Sequence, residues 1–285
     1  MSTARIFSCG TILAALLAAA SPQSQAGADL ASPWTELHAA RVRLIAGPGV
    51  AKQSTSFLAG IEISLADGWK TYWRVPGDAG VPPVFDWAAS DNVGAVKVLY
   101  PAPLRLSEPA AETIGYKGSM VFPVEVTPRD AAKPVVLKLT MEFGVCRDIC
   151  IPSEAVMAVT IPAKGLSGPP LKPIAAALER VPRQQSARRS GDPDFKRVMA
   201  TLDGSEARLV VEAAFPGGSN GAQLFVEAPD GLFVPMPTRT EQPDGVVRFA
   251  SDLARGGNAK EFKGKVLTLT LVSESGATEM SWTVP

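Results

Sequence analysis

Two cysteines, Cys146 and Cys150, stand four positions apart in the middle of the chain. The only other cysteine, Cys9, lies in an N-terminal stretch that we expect to be removed. In the chain-entropy model a disulfide that closes so small a ring stabilises the fold by only about 2 kcal/mol, whereas a ring of about a hundred residues gives about 4–5 kcal/mol. A disulfide kept for stability would join distant residues, so this spacing favours a pair that is made and broken.

The residues between the cysteines predict a tight hairpin loop at positions 147–149. In a helix, residues four apart hold their Cβ atoms about 5–6 Å apart, whereas a disulfide requires about 3.5–4.5 Å. Residues that face each other across a hairpin come close to that distance. Pairing Cys146 with Cys150 also places Met141 opposite Ala155, which suits a buried apolar face.

Alternation along the same strands predicts where the two sulfurs lie. Phe143 continues the apolar core phase, so Cys146 falls on the opposite, wetter face, and Cys150 is likewise out of phase with the apolar residues that follow it. We therefore expect both sulfurs near the surface at a sheet end, because reactive thiols need access. The same register sets Glu142 opposite Glu154, a like-charge pair that is unfavourable.

Alternating apolar and polar residues elsewhere predict many short strands. Turn signals such as Asp67-Gly68 separate them. The predicted strands of the first half are residues 41–46, 57–65, 70–75, 95–99, 120–126, 137–143 and 155–161. Short alternating strands at this spacing are typical of a β-sandwich.

A segment rich in glycine and proline, residues 164–194, predicts a linker between two domains. Within it, residues 174–181 predict a short helix and residues 183–189 a solvated basic tether. The strands predicted after the linker are residues 208–214, 223–228, 246–250, 265–272 and 279–284. The sequence therefore predicts an all-β protein with one sandwich at residues 27–163 and a second at residues 195–285.

The N-terminal segment 1–26 has the three parts of a secretory signal peptide. Arg5 supplies the positive charge, residues 12–20 form the apolar run, and Ser24-Gln25-Ala26 is a small-residue cleavage site. We expect the mature chain to begin near Gly27, without a membrane anchor, in the bacterial periplasm, where disulfides persist. Charge is balanced at 28 basic and 28 acidic residues, which argues against a nucleic-acid partner because such a partner calls for a basic face.

Other chemistries have less support in the sequence. His38 is the only histidine, so no histidine-based metal site or catalytic triad can be assembled, and we expect no metal and no organic cofactor. One alternative is Cu(I) binding by the two cysteine thiolates with Met141 or Met157, since Cu(I) prefers sulfur ligands. The predicted register buries both methionines on the other face, which weakens that alternative. Another is a non-enzymatic adaptor whose disulfide is only structural.

Four motifs follow one another along the first predicted domain. They are Asp67-Gly68-Trp69-Lys70-Thr71-Tyr72-Trp73-Arg74, Ile114-Gly115-Tyr116-Lys117-Gly118, Phe122-Pro123-Val124 and Cys146-Arg147-Asp148-Ile149-Cys150-Ile151-Pro152. Together they resemble the N-terminal periplasmic domain of the thiol:disulfide interchange protein DsbD, and still more the related ScsB-type proteins. The resemblance covers about residues 51–162. It implies an immunoglobulin-like sandwich, so the expected fold is two immunoglobulin-like β-sandwich domains joined by a linker with a short helix.

The resemblance also implies a function and a site. Cys146 and Cys150 would be the redox pair, which receives electrons from a membrane-embedded thiol electron-transfer protein and passes them to periplasmic thioredoxin-like proteins. Cys150 would form the mixed disulfide with a partner. A cap that shields the pair would lie near Glu112, Ile114 and Tyr116.

Two features depart from the DsbD pattern. The DsbD domain has a longer spacer between its cysteines, whereas three residues separate them here. The chain is also expected to act without a transmembrane domain or a thioredoxin-like domain of its own, as a protein-disulfide reductase or as its electron carrier. Cytochrome maturation and the repair of misoxidised or copper-stressed proteins are both compatible with that role.

Overall fold

The computed structural model describes residues 30–50, 56–107, 111–163, 166, 168–229, 231–242 and 245–285. The predicted signal peptide at residues 1–26, which includes Cys9, lies outside these ranges. Within them, no helix has the length and apolar character needed to span a membrane.

Strands dominate the described residues. The first eleven, in chain order, are β1 (Thr35–Glu36), β2 (Ala40–Val50), β3 (Phe57–Leu65), β4 (Lys70–Gly77), β5 (Val84–Asp86), β6 (Val93–Val98), β7 (Leu104–Ser107), β8 (Glu112–Lys117), β9 (Ser119–Pro128), β10 (Val135–Cys146) and β11 (Cys150–Ile161). They are followed by α1 (Lys172–Glu179), β12 (Arg183–Gln184), β13 (Asp194–Thr201), β14 (Arg208–Ala214), β15 (Gln223–Glu227), β16 (Thr238–Glu241), β17 (Val246–Asp252), β18 (Val266–Ser273) and β19 (Gly276–Thr283).

Strands β1 to β11 form a sandwich of two sheets. One sheet has the order β1-β2-β3-β9-β6, and the other has the order β11-β10-β4-β8-β7, with β5 also paired to β10. Alternate residues of β10 point into the core between the sheets, as predicted, and Leu137, Leu139, Met141 and Phe143 are each at most 1% exposed. Burying a side chain of this size contributes about 1.5–3 kcal/mol, so this strand is a large part of the core.

Strands β12 to β19 form a second sandwich. Its sheets have the orders β12-β19-β18-β15 and β13-β14-β17-β16. Alternation again separates a buried face from an outer one, and on β18 the residues Leu267, Leu269 and Leu271 are fully buried. The predicted all-β class with two immunoglobulin-like sandwiches is confirmed.

The predicted strands agree with the observed ones to within a few residues at most ends. Those that the sequence did not predict are β5, β7, β8, β13 and β16, together with the short pieces β1 and β12. Several of them lack an alternating apolar face. In β16, for example, all four residues are exposed, so the strand has no apolar signal and exists because it pairs with β17.

The prediction of a solvated tether at residues 183–189 is wrong. Strand β12 pairs in parallel with β19, and a short 3₁₀ turn, Gln185–Ala187, follows it. The basic run is held by carboxylates: Arg183 contacts Asp192, which is 2% exposed, at 3.1 Å, and Arg188 contacts Asp194 at 3.0 Å. These ion pairs attach the segment to the second sandwich.

The predicted helix is present, and it packs on the outside of the first sandwich. Helix α1 buries Ile174 and Ala177 against Ile45, Leu58 and Val121. Pro173 near its start is compatible with the first helical turn, where no backbone N–H partner is needed. The predicted linker is therefore largely docked onto the two sandwiches.

The two sandwiches meet at strand β4. The Trp73 ring lies 5.7 Å from the ring of Phe225, which belongs to β15 but is buried within the core cluster of the first sandwich. Arg74 forms ion pairs with Glu227 and Glu279 of the second sandwich. Burial opposes the charge of Arg74, but the two carboxylates outweigh it and raise the pKa of the guanidinium above its usual value. The predicted domain boundaries stay a prediction.

Candidate functional site

The hairpin of β10 and β11 positions the two cysteines. Cys146 ends β10, Cys150 begins β11, and the two are register partners joined by a disulfide with a Cα–Cα distance of 4.1 Å. Residues 147–149 form the loop, as predicted. The predicted register is also confirmed along the strands, including the pairing of Glu142 with Glu154, both of which point to solvent.

The two sulfur-bearing residues differ in exposure. Cys150 is exposed, as predicted, whereas the prediction of an exposed Cys146 is wrong, since that residue is 1% exposed. Alternation did place Cys146 on the face opposite the core, and it is absent from the core cluster. That outer face is covered by other parts of the chain, so the disulfide has one accessible and one buried side.

Two features of the chain cover the outer face near Cys146. Strand β4 begins beside it, with Lys70 as its register partner. The segment after β4, residues 78–83, runs alongside β10, where the Gly144 N–H donates a hydrogen bond to the Val81 carbonyl at 3.4 Å. A Cβ on Gly144 would lie 3.2 Å from Val81 and 3.3 Å from Tyr72, so the glycine lets both pack closely. This cover comes from residues distant in sequence.

Tyr72 lies directly against the disulfide. Its Oη is 3.3 Å from Cys150 Sγ, and its side chain is 2% exposed. Gly80 packs closely against the ring. Its φ is 128°, and a Cβ built on it would lie only 2.3 Å from the ring. Alternation along this strand predicts Trp69 and Trp73 on one core-facing face, and the sequence assigned no role to Tyr72. Alternation contained the missing signal, because it sets Tyr72 on the opposite face from Trp69 and Trp73.

Lys70 is the second side chain that sequence reasoning missed. It is 3% exposed, its Nζ donates to Thr113 Oγ1 at 3.3 Å, and it lies 5.6 Å from the centre of the Tyr72 ring. Thr113 is 1% exposed and in turn contacts the Leu106 carbonyl. A buried ammonium is therefore held by strands β4 and β8 on the sheet face that carries the disulfide.

The three residues expected to form a cap lie on strand β8. Ile114 and Tyr116 are buried in the core of the first sandwich, and the Tyr116 hydroxyl donates to the Pro101 carbonyl at 2.8 Å. Burial raises the pKa of Tyr116 well above its usual value. Glu112 lies at the start of the strand, where Arg105 pairs with its carboxylate. Ile114 and Tyr116 therefore make core contacts and Glu112 an ion pair, while Tyr72 lies against Cys150 Sγ, and the role of the three as a cap stays a prediction.

The loop carries the remaining charges next to the pair. Arg147 and Asp148 form an exposed ion pair at 2.9 Å, and the Arg147 guanidinium lies 5.3 Å from the Trp69 ring. Met141 and Met157, the ligands of the copper alternative, are buried in the core, so neither faces the sulfurs. The arrangement is therefore a lone disulfide with one accessible sulfur, a tyrosine hydroxyl and a buried lysine.

The comparisons with known proteins agree with this geometry. The family model described as thiol:disulfide interchange protein DsbD, N-terminal, matches residues 42–162. The crystal structure of the N-terminal periplasmic domain of ScsB from Proteus mirabilis is similar over 90% of this chain and 98% of that chain, with a TM-score of 0.69 and 21% identity, which shows a shared fold. No curated protein sequence matches the chain. Residues 42–162 therefore match the N-terminal domain of the thiol:disulfide interchange protein DsbD, and the chain shares the fold of a ScsB N-terminal periplasmic domain.

Proposed function

We propose that the protein is a periplasmic thiol–disulfide carrier. Its Cys146–Cys150 pair would accept electrons from a membrane-embedded thiol electron-transfer protein and pass them to thioredoxin-like proteins. The observation that carries the proposal is the asymmetry of the disulfide, with Cys150 exposed at a strand end and Cys146 only 1% exposed. Such an arrangement fits a bond that a partner attacks from one side.

The reaction begins with a reduced partner. Its thiolate attacks Cys150 Sγ, the intramolecular S–S bond breaks, and the electron pair leaves on Cys146 Sγ. The second thiol of the partner then attacks its own sulfur in the mixed disulfide, which releases Cys150 as a thiolate and oxidises the partner. Two electrons have moved to the pair, and the thiolates take up protons from solvent according to pH.

Delivery of the electrons reverses these steps with a different protein. The Cys150 thiolate attacks the disulfide of a thioredoxin-like partner, and Cys146 then attacks Cys150 Sγ and expels the partner in its dithiol form. The burial of Cys146 supports this division of roles, because a partner sulfur reaches Cys150 first. The two sulfurs carry the electrons themselves, so the reaction needs no metal or organic cofactor.

Exposed apolar side chains beside the pair support a protein partner. Ile149 in the loop is 65% exposed and Val81 in the covering segment is 47% exposed. Exposed apolar groups close to a reactive bond suit a brief protein contact. The proposed periplasmic location rests on the predicted signal peptide, on the disulfide, and on the similarity to a domain described as periplasmic.

Trapping variants test the proposal. In Cys146→Ser, Cys150 can form a mixed disulfide that nothing resolves. We therefore expect a stable covalent adduct with a single-cysteine thioredoxin-like protein whose thiol has first been converted to a mixed disulfide with an aromatic thiol, because the Cys150 thiolate attacks the partner sulfur and the aromatic thiolate leaves. The matched control is Cys150→Ser, in which the remaining thiol is buried and should form little adduct. Equal trapping by both variants, or trapping by neither, would contradict the proposal.

Two further outcomes correspond to the alternatives. A pair that stays oxidised in cells, with a potential below about −300 mV in a glutathione titration, would indicate a structural disulfide and an adaptor role. Tight anaerobic binding of Cu(I) that is lost in Cys146→Ser would indicate copper handling. The carrier proposal expects a mixture of reduced and oxidised protein in thiol-trapping gels from cells.

A further inference from the structure

Lys70 is a buried charged side chain to which the exchange reaction described above gives no role. Lysine is rarely buried to 3% exposure, because removing an ammonium from water is costly unless its surroundings compensate for the loss. Its place in the sheet is specific. Lys70 begins β4 and is the register partner of Cys146 at the end of β10.

The side-chain contacts place the ammonium on the disulfide's own face of the sheet. Register partners on antiparallel strands have Cβ atoms about 4.5–5.5 Å apart and point to the same side. The Nζ atom is held by Thr113 Oγ1 at 3.3 Å and lies 5.6 Å from the centre of the Tyr72 ring. The same ring carries the hydroxyl that is 3.3 Å from Cys150 Sγ.

We propose that Lys70 is a positioning residue for the redox pair, whose ammonium stabilises the thiolate that forms on Cys146 when the disulfide opens. The inference rests on the proposed exchange function and assigns the residue that sets how easily the pair is reduced. When a partner thiolate attacks Cys150, the S–S bond breaks and its electron pair becomes a negative charge on Cys146 Sγ. A fixed positive charge on the same buried face as that atom stabilises the charge left on it, since a nearby lysine favours the thiolate over the thiol.

The other charges around the pair are more exposed. On the loop, Arg147 and Asp148 neutralise each other in solvent. On the outer face of the hairpin, Glu142 and Glu154 are register partners four positions from the cysteines, and both are exposed. On β8, Lys117 pairs with Lys70 in register but points to solvent. Screening by water weakens the effect of exposed charges, so the buried ammonium has the larger influence on Cys146.

The charge has a direct consequence for the equilibrium of the pair. Stabilising the thiolate stabilises the reduced protein, because the disulfide carries no charge for Lys70 to act on. The pair is therefore more easily reduced than it would be without the lysine. The same thiolate is the nucleophile that later expels the second partner, so a larger thiolate fraction near neutral pH also speeds resolution.

The test measures Cys146 directly and needs no partner protein. In a Cys150→Ser background, the thiolate absorbance near 240 nm is followed against pH with Lys70→Met, which keeps the length of the side chain and removes its charge. We expect the ionisation constant of Cys146 to fall by about tenfold or more, which is a rise in its pKa of about one unit. The matched control is Lys117→Met, which removes an exposed charge one strand further away and should leave the value unchanged.

A second measurement uses the full pair. With both cysteines present, the equilibrium constant for reduction by glutathione, measured above the thiol pKa values, should fall by about tenfold in Lys70→Met, which corresponds to about 30 mV. Lys70→Arg should retain most of the wild-type value. Should Lys70→Met fold poorly, Thr113→Val is the second variant. It keeps the lysine but removes the oxygen that positions its ammonium, so we expect a smaller rise in the pKa of Cys146.

The outcomes separate this inference from the proposed function. An unchanged Cys146 ionisation in Lys70→Met and in Thr113→Val, or an equal change in Lys117→Met, would overturn the role of Lys70 even if trapping by Cys146→Ser succeeds. Conversely, a shifted ionisation with no partner trapping would leave the electrostatic role in place and refute the carrier function.

Discussion

Replacement of Tyr72 by phenylalanine removes one atom from the site and keeps the ring that covers it. Tyr72 Oη lies 3.3 Å from Cys150 Sγ, and because a disulfide sulfur carries no hydrogen, the hydroxyl is the donor. In the reduced protein the same hydroxyl can donate to the Cys150 thiolate, which is a much better acceptor. The variant therefore affects the reduced state more than the oxidised one.

The size of the effect follows from the two kinds of hydrogen bond. A hydrogen bond to a charged group contributes about 1.5–3 kcal/mol, and one between neutral groups about 0.5–1.5 kcal/mol. The difference, about 1–1.5 kcal/mol, corresponds to about one pKa unit, since a unit equals about 1.4 kcal/mol. We expect the pKa of the Cys150 thiol to rise by about one unit in Tyr72→Phe.

The assay follows alkylation of Cys150 against pH in a Cys146→Ser background, where the rate reports the thiolate fraction. Tyr116→Phe is the control, because it removes a hydroxyl that donates to the Pro101 carbonyl on the other face of the same sheet. A Tyr72→Phe profile that coincides with that of the control would refute the reasoning, since it would mean that the hydroxyl does not act on the thiolate.

Two further predictions concern the covering segment and the acid stability of the second sandwich. Gly80→Ala places a methyl group 2.3 Å from the Tyr72 ring, so we expect it to displace the ring and increase the rate of disulfide reduction by a small thiol several-fold. Gly118→Ala also puts an alanine at a positive φ but has no neighbour within 4 Å, so it should not change that rate. Burial opposes ionisation of Asp194, but bonds such as that from Lys196 outweigh it and lower the pKa of the carboxyl. The stability that this carboxylate contributes is present above the ordinary aspartate pKa and is lost as the pH falls through the lowered value. Asp194→Asn should therefore make the free energy of unfolding depend less on pH in the acid range. An unchanged dependence in urea titrations at several pH values would contradict this.

The hairpin that carries the cysteines was predictable because its determinants are local. Alternation along residues 137–143 and 155–161 fixed both the register and the buried face, and the pairing of Cys146 with Cys150 follows from that register. The choice of Cys150 as the attacked sulfur came from resemblance, and the exposure of that residue supports it.

The cover over Cys146 was not predictable in the same way, because it depends on which strands become neighbours. The sequence around Cys146 does not indicate that β4 will begin beside it or that Val81 will hydrogen-bond to β10. Lys70 and Tyr72 could have been separated from the core by the alternation of their own strand. Their position near the disulfide could still not be predicted without the sheet order β11-β10-β4-β8.

The contact between Trp73 and Phe225 bears on where the polypeptide can be cut for experiments. Phe225 is fully buried in the first sandwich's core although it belongs to the second, and Arg74 depends on two carboxylates from beyond residue 195. A fragment ending near residue 163 would expose the indole of Trp73 and leave that guanidinium without its counter-ions. Because Trp73 and Arg74 directly follow Tyr72 in the chain, truncated versions would lose support next to the redox pair, and only material containing both halves reports the native chemistry.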